Sequence, residues 1–373
     1  MVNYEKFRVA AAHAAPIYHD RSKTVEKACK IIEEAAEQGV HLIAFPESFI
    51  PGFPIWAMLA APIRTHHLFA ELASQAIRIN GPEIERIRAV ARKHRIIVSM
   101  GFTEGTQVSV GCLWNSNVLI GADGSLLNHH RKIVPTFFEK LVWASGDGSG
   151  LRVTDTEIGR VGMLICGENG NPLARYSLIA QGEQIHVSTY PAMAPMRPLK
   201  ETGGYDLEQA IRIRAAGHSF EGKVFNIVAS TFYDETLRNA LAPLGEDVVE
   251  LLDKSPKAVS MILAQSGSVV GATRCAEEGL VIADIDLSPA VELKRLHDVV
   301  GYYNRYDIFH LSVNRSPQHP IHFFESAEGL SFQSQTMPKV VDAHIERARK
   351  NEAAQLPIDP PYDPEEVSTP RQR

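Results

Sequence analysis

The strongest constraint on this chain is a rhythm of short apolar runs and amphipathic helical stretches between residues 7 and 285. Strands are predicted at 7–15, 40–45, 96–102, 160–166, 185–190 and 224–232. Most are apolar at consecutive positions, not at alternate ones, which is the mark of a strand covered on both faces. Between them lie helical periods. Residues 23–38 place Val25, Ala28, Cys29, Ile32 and Ala36 on one face, and Gly39 ends that helix. Residues 83–94 follow Gly81-Pro82 and align Ile84, Ile87 and Ala91. Pro172 opens a helix to 181, and 207–221 forms another. Residues 117–121 and 125–129 flank Asp123-Gly124 as a hairpin, and 268–272 with 280–285 read as a late strand pair. Strands buried on both sides, with helices between them, imply an α/β fold. No linker, repeat or low-complexity tract interrupts the first 300 residues, so this part reads as one domain.

Composition narrows the function classes. Lys plus Arg is 38 against 44 for Asp plus Glu, a net charge of −6, and no basic stripe stands out. That argues against a nucleic-acid partner. No apolar run reaches the 18 or more residues of a membrane helix, and residues 55–63 are broken by Pro62. Glu5 and Lys6 precede the first apolar run, which does not resemble a secretory leader, so a cytoplasmic location is expected. Four cysteines with no Cys-x-x-Cys pair make neither a disulfide framework nor a zinc site. The pairs His66-His67 and His129-His130 are poor chelators, because neighbouring side chains diverge. No metal and no cofactor are expected.

Four residues are candidates for chemistry. Cys166 ends the apolar run VGMLIC and precedes Gly167, Glu168, Asn169 and Gly170, then a helix. A sharp strand-to-helix turn presents a nucleophile at a sheet edge beside backbone N–H groups. Alone, such a cysteine is more often a buried structural residue; Cys29, Cys112 and Cys275 keep that reading. Glu47, in IAFPESFIPGFP, stands just past an apolar strand, where desolvation raises a carboxyl toward the range of a base. It fits a loop carboxylate equally well. Lys132, in HHRKIVPTFFEK, fits an oxyanion stabiliser or a solvated edge lysine. Glu139, seven positions on, is by itself an ordinary surface carboxylate.

Together, in this order and in these flanking words, the four residues resemble the Glu-Lys-Glu-Cys set of the nitrilase superfamily of carbon–nitrogen hydrolases. The resemblance runs from about residue 7 to about residue 310. GDGSG, the NPLAR helix start and LHDVVGYYNRYDIF at 296–309 are most similar to the nitrilase branch, with Tyr302 where that branch has His. The resemblance implies a four-layer α-β-β-α sandwich over 1–310. Residues 311–373 read as a C-terminal extension, whose Pro-rich and acidic end from Gln355 is expected from its composition to be partly disordered. The resemblance also implies hydrolysis of an aliphatic or arylaliphatic nitrile to carboxylic acid and ammonia. Cys166 would be nucleophile, Glu47 base, Lys132 charge stabiliser and Glu139 its orienting partner, with the Gly167 N–H as an oxyanion donor. An amide by-product is compatible with this chemistry. An amidase or N-carbamoyl hydrolase would use the same four residues; a cyanide hydratase or dihydratase and a catalytically dead scaffold are less favoured. Phe53, Trp56, Glu168, Tyr190 and Pro191 are the expected substrate-pocket residues. A homo-oligomer is implied, a dimer or a spiral or filament built from dimers. One departure stands out. Nitrilases usually carry Cys-Trp-Glu, and Cys166-Gly167-Glu168 lacks the ring. The expectation is that the space is open or filled by another aromatic.

Overall fold

Along strand β1 (Lys6–His13) successive side chains point to opposite faces, and both faces are buried. Val9 and Ala11 turn one way, into a core shared with Val161, Met163, Ile185, Val187 and Ile227 of a second sheet. Ala10 and Ala12 turn the other way, onto Val25, Ala28, Ile32, Ile84, Ile87 and Ala91 of two helices. This two-sided burial is why the strands carry so few polar positions. The computed structural model describes residues 6–201 and 204–318.

After β1 come α1 (Arg21–Glu37), β2 (Leu42–Ala44), α2 (Trp56–Leu59), α3 (His66–Gln75), α4 (Pro82–His94), β3 (Ile97–Gly105), β4 (Leu113–Ile120) and β5 (Leu126–Arg131). The second half has β6 (Thr154–Thr156), β7 (Gly159–Ile165), α5 (Pro172–Ile179), β8 (Ile185–Tyr190), α6 (Leu207–Gly222) and β9 (Phe225–Ser230). It ends with α7 (Glu235–Leu241), α8 (Glu246–Lys254), β10 (Ser260–Leu263), β11 (Val269–Arg274), β12 (Gly279–Asp286) and α9 (Ala290–Leu296). One six-stranded sheet has the order β12-β1-β2-β3-β4-β5 and the other β11-β10-β9-β8-β7-β6. The central pairs β1-β2-β3 and β7-β8-β9 are parallel. Helices α1 and α4 cover the outer face of the first sheet. Leu207, Ile211 and Ala215 of α6 cover the second through Ile165, Tyr190, Val228 and Met261. The result is the expected α-β-β-α sandwich.

Helix starts follow local chemistry. Asp20 accepts from the Lys23 N–H at α1, and Asp206 from the Gln209 N–H at α6. Each such cap is worth about 1 kcal/mol.

The predicted late strand pair is not a pair. β12 runs antiparallel to β1, with Lys6 opposite Asp286, while β11 joins β10. The two strands sit at the edges of different sheets, so nearness in sequence misleads. Residues 311–318, expected to open the extension, run along the body. The Gln318 N–H donates to Asp147 Oδ2 at 2.8 Å, and Arg315 Nη1 to Gln181 Oε1 at 3.3 Å. The remainder of the expected extension, including its Pro-rich end, lies outside the described residues. No helix among the described residues is long and apolar enough to cross a membrane.

Candidate active site

The carboxyl ends of β2, β5 and β7 converge, two from the first sheet and one from the second. Each delivers one candidate. Glu47 follows β2 by way of Phe45 and Pro46. Its loop is tied to β3 by the Ile50 N–H on Gly101 O (3.2 Å), the Thr103 N–H on Ile50 O (2.7 Å) and Ser48 Oγ against Thr103 Oγ1 (2.8 Å). Gly101 permits this approach, since a Cβ there would lie 2.1 Å from the Pro46 carbonyl oxygen. Lys132 follows β5 directly, and its N–H donates to Asn115 O at 2.8 Å. Cys166 follows β7 directly, with φ +50. That left-handed conformation is strained for a residue with a Cβ and costs on the order of 1–3 kcal/mol.

The strain is held by a buried polar chain. Asn169 Nδ2 donates to the carbonyls of Leu164 (3.2 Å) and Cys166 (3.1 Å). Asn169 Oδ1 lies 2.9 Å from both His186 Nε2 and Ser188 Oγ. His186 Nδ1 meets Glu183 Oε1 at 2.6 Å, and His218 Nε2 meets the other Glu183 oxygen at 2.7 Å. Glu168 makes a second tie. Its carboxylate accepts from the N–H groups of Ile165 (2.9 Å) and Ile133 (2.6 Å) and pairs with His130 Nε2 (2.9 Å). It thereby links the residue before Cys166 to the residue after Lys132, across the two sheets. Burial works against its ionisation, but His130 and the two N–H donors outweigh burial and hold the carboxyl below its usual range.

All four candidates are almost fully buried. Lys132 Nζ donates to Glu139 Oε2 at 2.6 Å and to Glu47 Oε1 at 2.9 Å. Asn115 Nδ2 donates to the same Glu47 oxygen at 2.7 Å, and the Thr136 N–H to Glu139 Oε2 at 2.9 Å. Glu47 Oε2 has no partner among the described residues. A carboxylate oxygen of Glu47, one of Glu139 and Cys166 Sγ all lie within 4.8 Å of one another. One ammonium therefore serves two carboxylates beside a thiol, out of water. Burial raises the Glu47 carboxyl to about 7, against the pull of Lys132. Burial and then the Glu47 charge push the Cys166 thiol up. Burial alone would lower the Lys132 ammonium; Glu47, Glu139 and Cys166 outweigh it and hold it well above its ordinary value. The arrangement is a neutral thiol beside a carboxylate able to take its proton near neutral pH, with a fixed positive charge next to both. The turn opening at Cys166 also leaves its first N–H groups, that of Gly167 among them, without partners inside the turn.

A small cavity reaches Cys166, Gly167 and Glu139. Phe53, Phe138, Pro191, Met193 and Met196 give it an apolar wall, and Thr136, Tyr205 and Arg214 a polar one. Phe53 and Pro191 thus line it as expected, while Trp56, Glu168 and Tyr190 do not. Trp56 shares a cluster with Phe53, Phe138 and Met193 of the cavity wall but packs there with Leu68, Leu72 and Leu241 of α3 and α7, and does not line the cavity itself. Tyr190 is fully buried against α6. Glu168 is committed to the ties just described. The predicted divergence of His129 and His130 is seen: His129 turns to Glu104 and His130 to Glu168. Cys29 is buried as expected, whereas Cys112 is half-buried and Cys275 exposed. Asn115, Thr136, Asn169 and Arg214 escaped the sequence reading.

The space beside Gly167 is neither open nor filled by an aromatic ring. A Cβ at Gly167 would lie 2.7 Å from Thr136 Oγ1, so a threonine side chain stands there. A ring at 167 must displace Thr136 and enter the cavity. Gly167→Trp is therefore expected to lower kcat/KM for an arylaliphatic nitrile about tenfold more than for a short aliphatic one. Thr136→Ala in the same chain should return part of that loss. An unchanged ratio between the two nitriles would refute this account of the pocket.

Residues 8–295 match the carbon–nitrogen hydrolase family. A protein described as nitrilase 3, from an unknown prokaryotic organism, is 34% identical over 320 residues, covering 84% of this chain and 92% of the relative. An aliphatic nitrilase of Rhodococcus rhodochrous is 32% identical over 334 residues, covering 86% of each chain. Among solved structures, a carbon–nitrogen hydrolase from Helicobacter pylori G27 superposes with a TM-score of 0.63 at 18% identity, over 81% of this chain and 97% of that one. At that identity the likeness concerns the fold alone.

Proposed function

Because the chain belongs to the carbon–nitrogen hydrolase family, in its nitrilase branch, and is by that kinship a hydrolase of nitriles, we propose that it converts an aliphatic or arylaliphatic nitrile to carboxylic acid and ammonia through Cys166. The carrying observation is the placement of the Cys166 thiol within 4.8 Å of carboxylate oxygens that share one buried lysine. The apolar wall of the cavity and the kinship to an aliphatic nitrilase support the substrate class.

In this mechanism Glu47 Oε2 takes the thiol proton as sulfur bonds to the nitrile carbon. The proton passes to nitrogen, giving a thioimidate. Water adds, and Lys132 with the Gly167 N–H stabilises negative charge in the tetrahedral states. Glu47 returns a proton to the departing ammonia, leaving a thioester. A second water hydrolyses the thioester to the acid and restores the thiol. Two waters are consumed and one ammonia released, with no cofactor. Expulsion of the thiolate in place of ammonia from the first tetrahedral state yields the amide. Glu139 holds Lys132 between the carboxylates and touches neither bond that changes.

The test is ammonia release from a nitrile panel and a matched amide panel, followed against pH. Nitriles should be turned over, and faster than their amides; the reverse order would favour an amidase. Because Glu47 must be ionised to act as base, the rate should rise with pH through about 7. A limb at the ordinary carboxylate value near 4.5 would remove Glu47 from the role of base.

A further inference from the structure

Arg214 lies on α6 and lines the same cavity as Cys166. It is half-buried. One of its five N–H donors is used, by Nη2 on Tyr205 Oη at 2.6 Å. Two other arginines of α6 and α5 are paired: Arg212 with Glu208 at 2.7 Å, and Arg175 with Glu221 at 2.9 Å. Arg214 has no carboxylate partner among the described residues. Among the described residues the one carboxylate in the cavity wall, that of Glu139, is already engaged by Lys132 and the Thr136 N–H. The charge of Arg214 reaches Cys166 and Tyr190. An unpaired guanidinium held partly out of water is costly unless something anionic meets it. Its planar fork suits a carboxylate, which can accept two parallel bonds from it.

We propose that Arg214 is an anion subsite beside the nucleophile, and that the nitrile this chain hydrolyses carries a carboxylate at the end remote from its nitrile carbon. The inference rests on the nitrile-hydrolase reading and deepens it. The methylenes between the two groups lie along Phe53, Phe138 and Met193, and the carboxylate meets Arg214 with Tyr205 at its side. The net charge of −6 does not draw such an anion in, so recognition is local to this wall.

Two nitriles of equal length test it, one ending in a carboxylate and one in the isosteric methyl ketone. In the full chain, kcat/KM for the acid should exceed that for the ketone by about 10- to 100-fold, the range of a charge-assisted pair. The ratio should fall toward one in Arg214→Gln and stay intermediate in Arg214→Lys. The same two nitriles titrated calorimetrically into full-length Cys166→Ala protein read the subsite without turnover, and there too the acid should bind more tightly. A ratio near or below one in the parent protein, or an acid preference that survives Arg214→Gln, overturns the proposal. Should Arg214→Gln not fold, the parent ratio and Arg214→Lys still decide. Should neither nitrile release ammonia, the nitrile reading fails, while the calorimetric ratio still decides the subsite.

Discussion

Cys166→Ala is expected to abolish ammonia release from nitriles while leaving the protein folded. The mechanism forms and breaks its covalent bonds at Sγ, and among the described residues no other cysteine lines the cavity. Loss of a nucleophile that works as a unit with its base typically costs about 10⁴-fold or more in kcat. The fold has little reason to fail, because one sulfur is removed from a site whose backbone is held from outside by Asn169 and Glu168. A thermal melt close to that of the parent, together with background ammonia release, is the expected pair of results. Turnover at the parent rate would dismiss Cys166 and the proposed mechanism with it.

Lys132→Met is expected to damage both rate and stability. Loss of one preorganised charge stabiliser costs about 10²–10³ in kcat. Here the same change leaves Glu47 and Glu139 facing each other without a cation, and breaking a buried ion pair from one side costs about 3–5 kcal/mol. The pH dependence has a definite sign. Without the ammonium, the Glu47 carboxyl, already raised by burial, loses the charge that pulls it down and rises further above its value in the unfolded chain. The folded state then binds more protons, so acid favours it. The stability gap between parent and variant should therefore be widest above pH 7 and narrow as the pH falls toward 5. Denaturant melts at pH 8 and pH 5 measure it. A gap that widens in acid, or a kcat within tenfold of the parent, would contradict the arrangement.

Much of this site could be read in advance because burial dictates where strands stop. Apolar runs that must be covered on two faces end where the chain leaves the sheet, and Glu47, Lys132 and Cys166 all stand within three residues of such an end. Direction was not legible in the same way. Tyr190 also closes a strand, but it is fully buried among Leu207, Ile211 and Ala215 of α6 and does not line the cavity. Trp56, past Glu47 in the same loop region, shares a cluster with Phe53 and Phe138 but packs there with residues of α3, α7 and α8 and does not line the cavity. Those helices are short, and α7 and α8 are separated by Pro243 and Gly245, so their apolar periods were too brief to register. Arg214 and Thr136 gave no signal at all. An arginine on a helix and a threonine after a proline are ordinary until the fold brings them to one wall.

Glu47 and Lys132 hang from one sheet and Cys166 from the other; the sheets meet through an apolar core, which holds by area and not by direction, and through directional ties that include His13 Nδ1 to Ser260 Oγ at 2.9 Å and Glu168 to His130. The site is therefore a gauge of how those sheets are seated. A slip of about 1 Å between them leaves every strand ladder intact but can lower a rate about a hundredfold. Volume changes at Met163 or Ile227, far from any reacting atom, should show in turnover before they show in a melt.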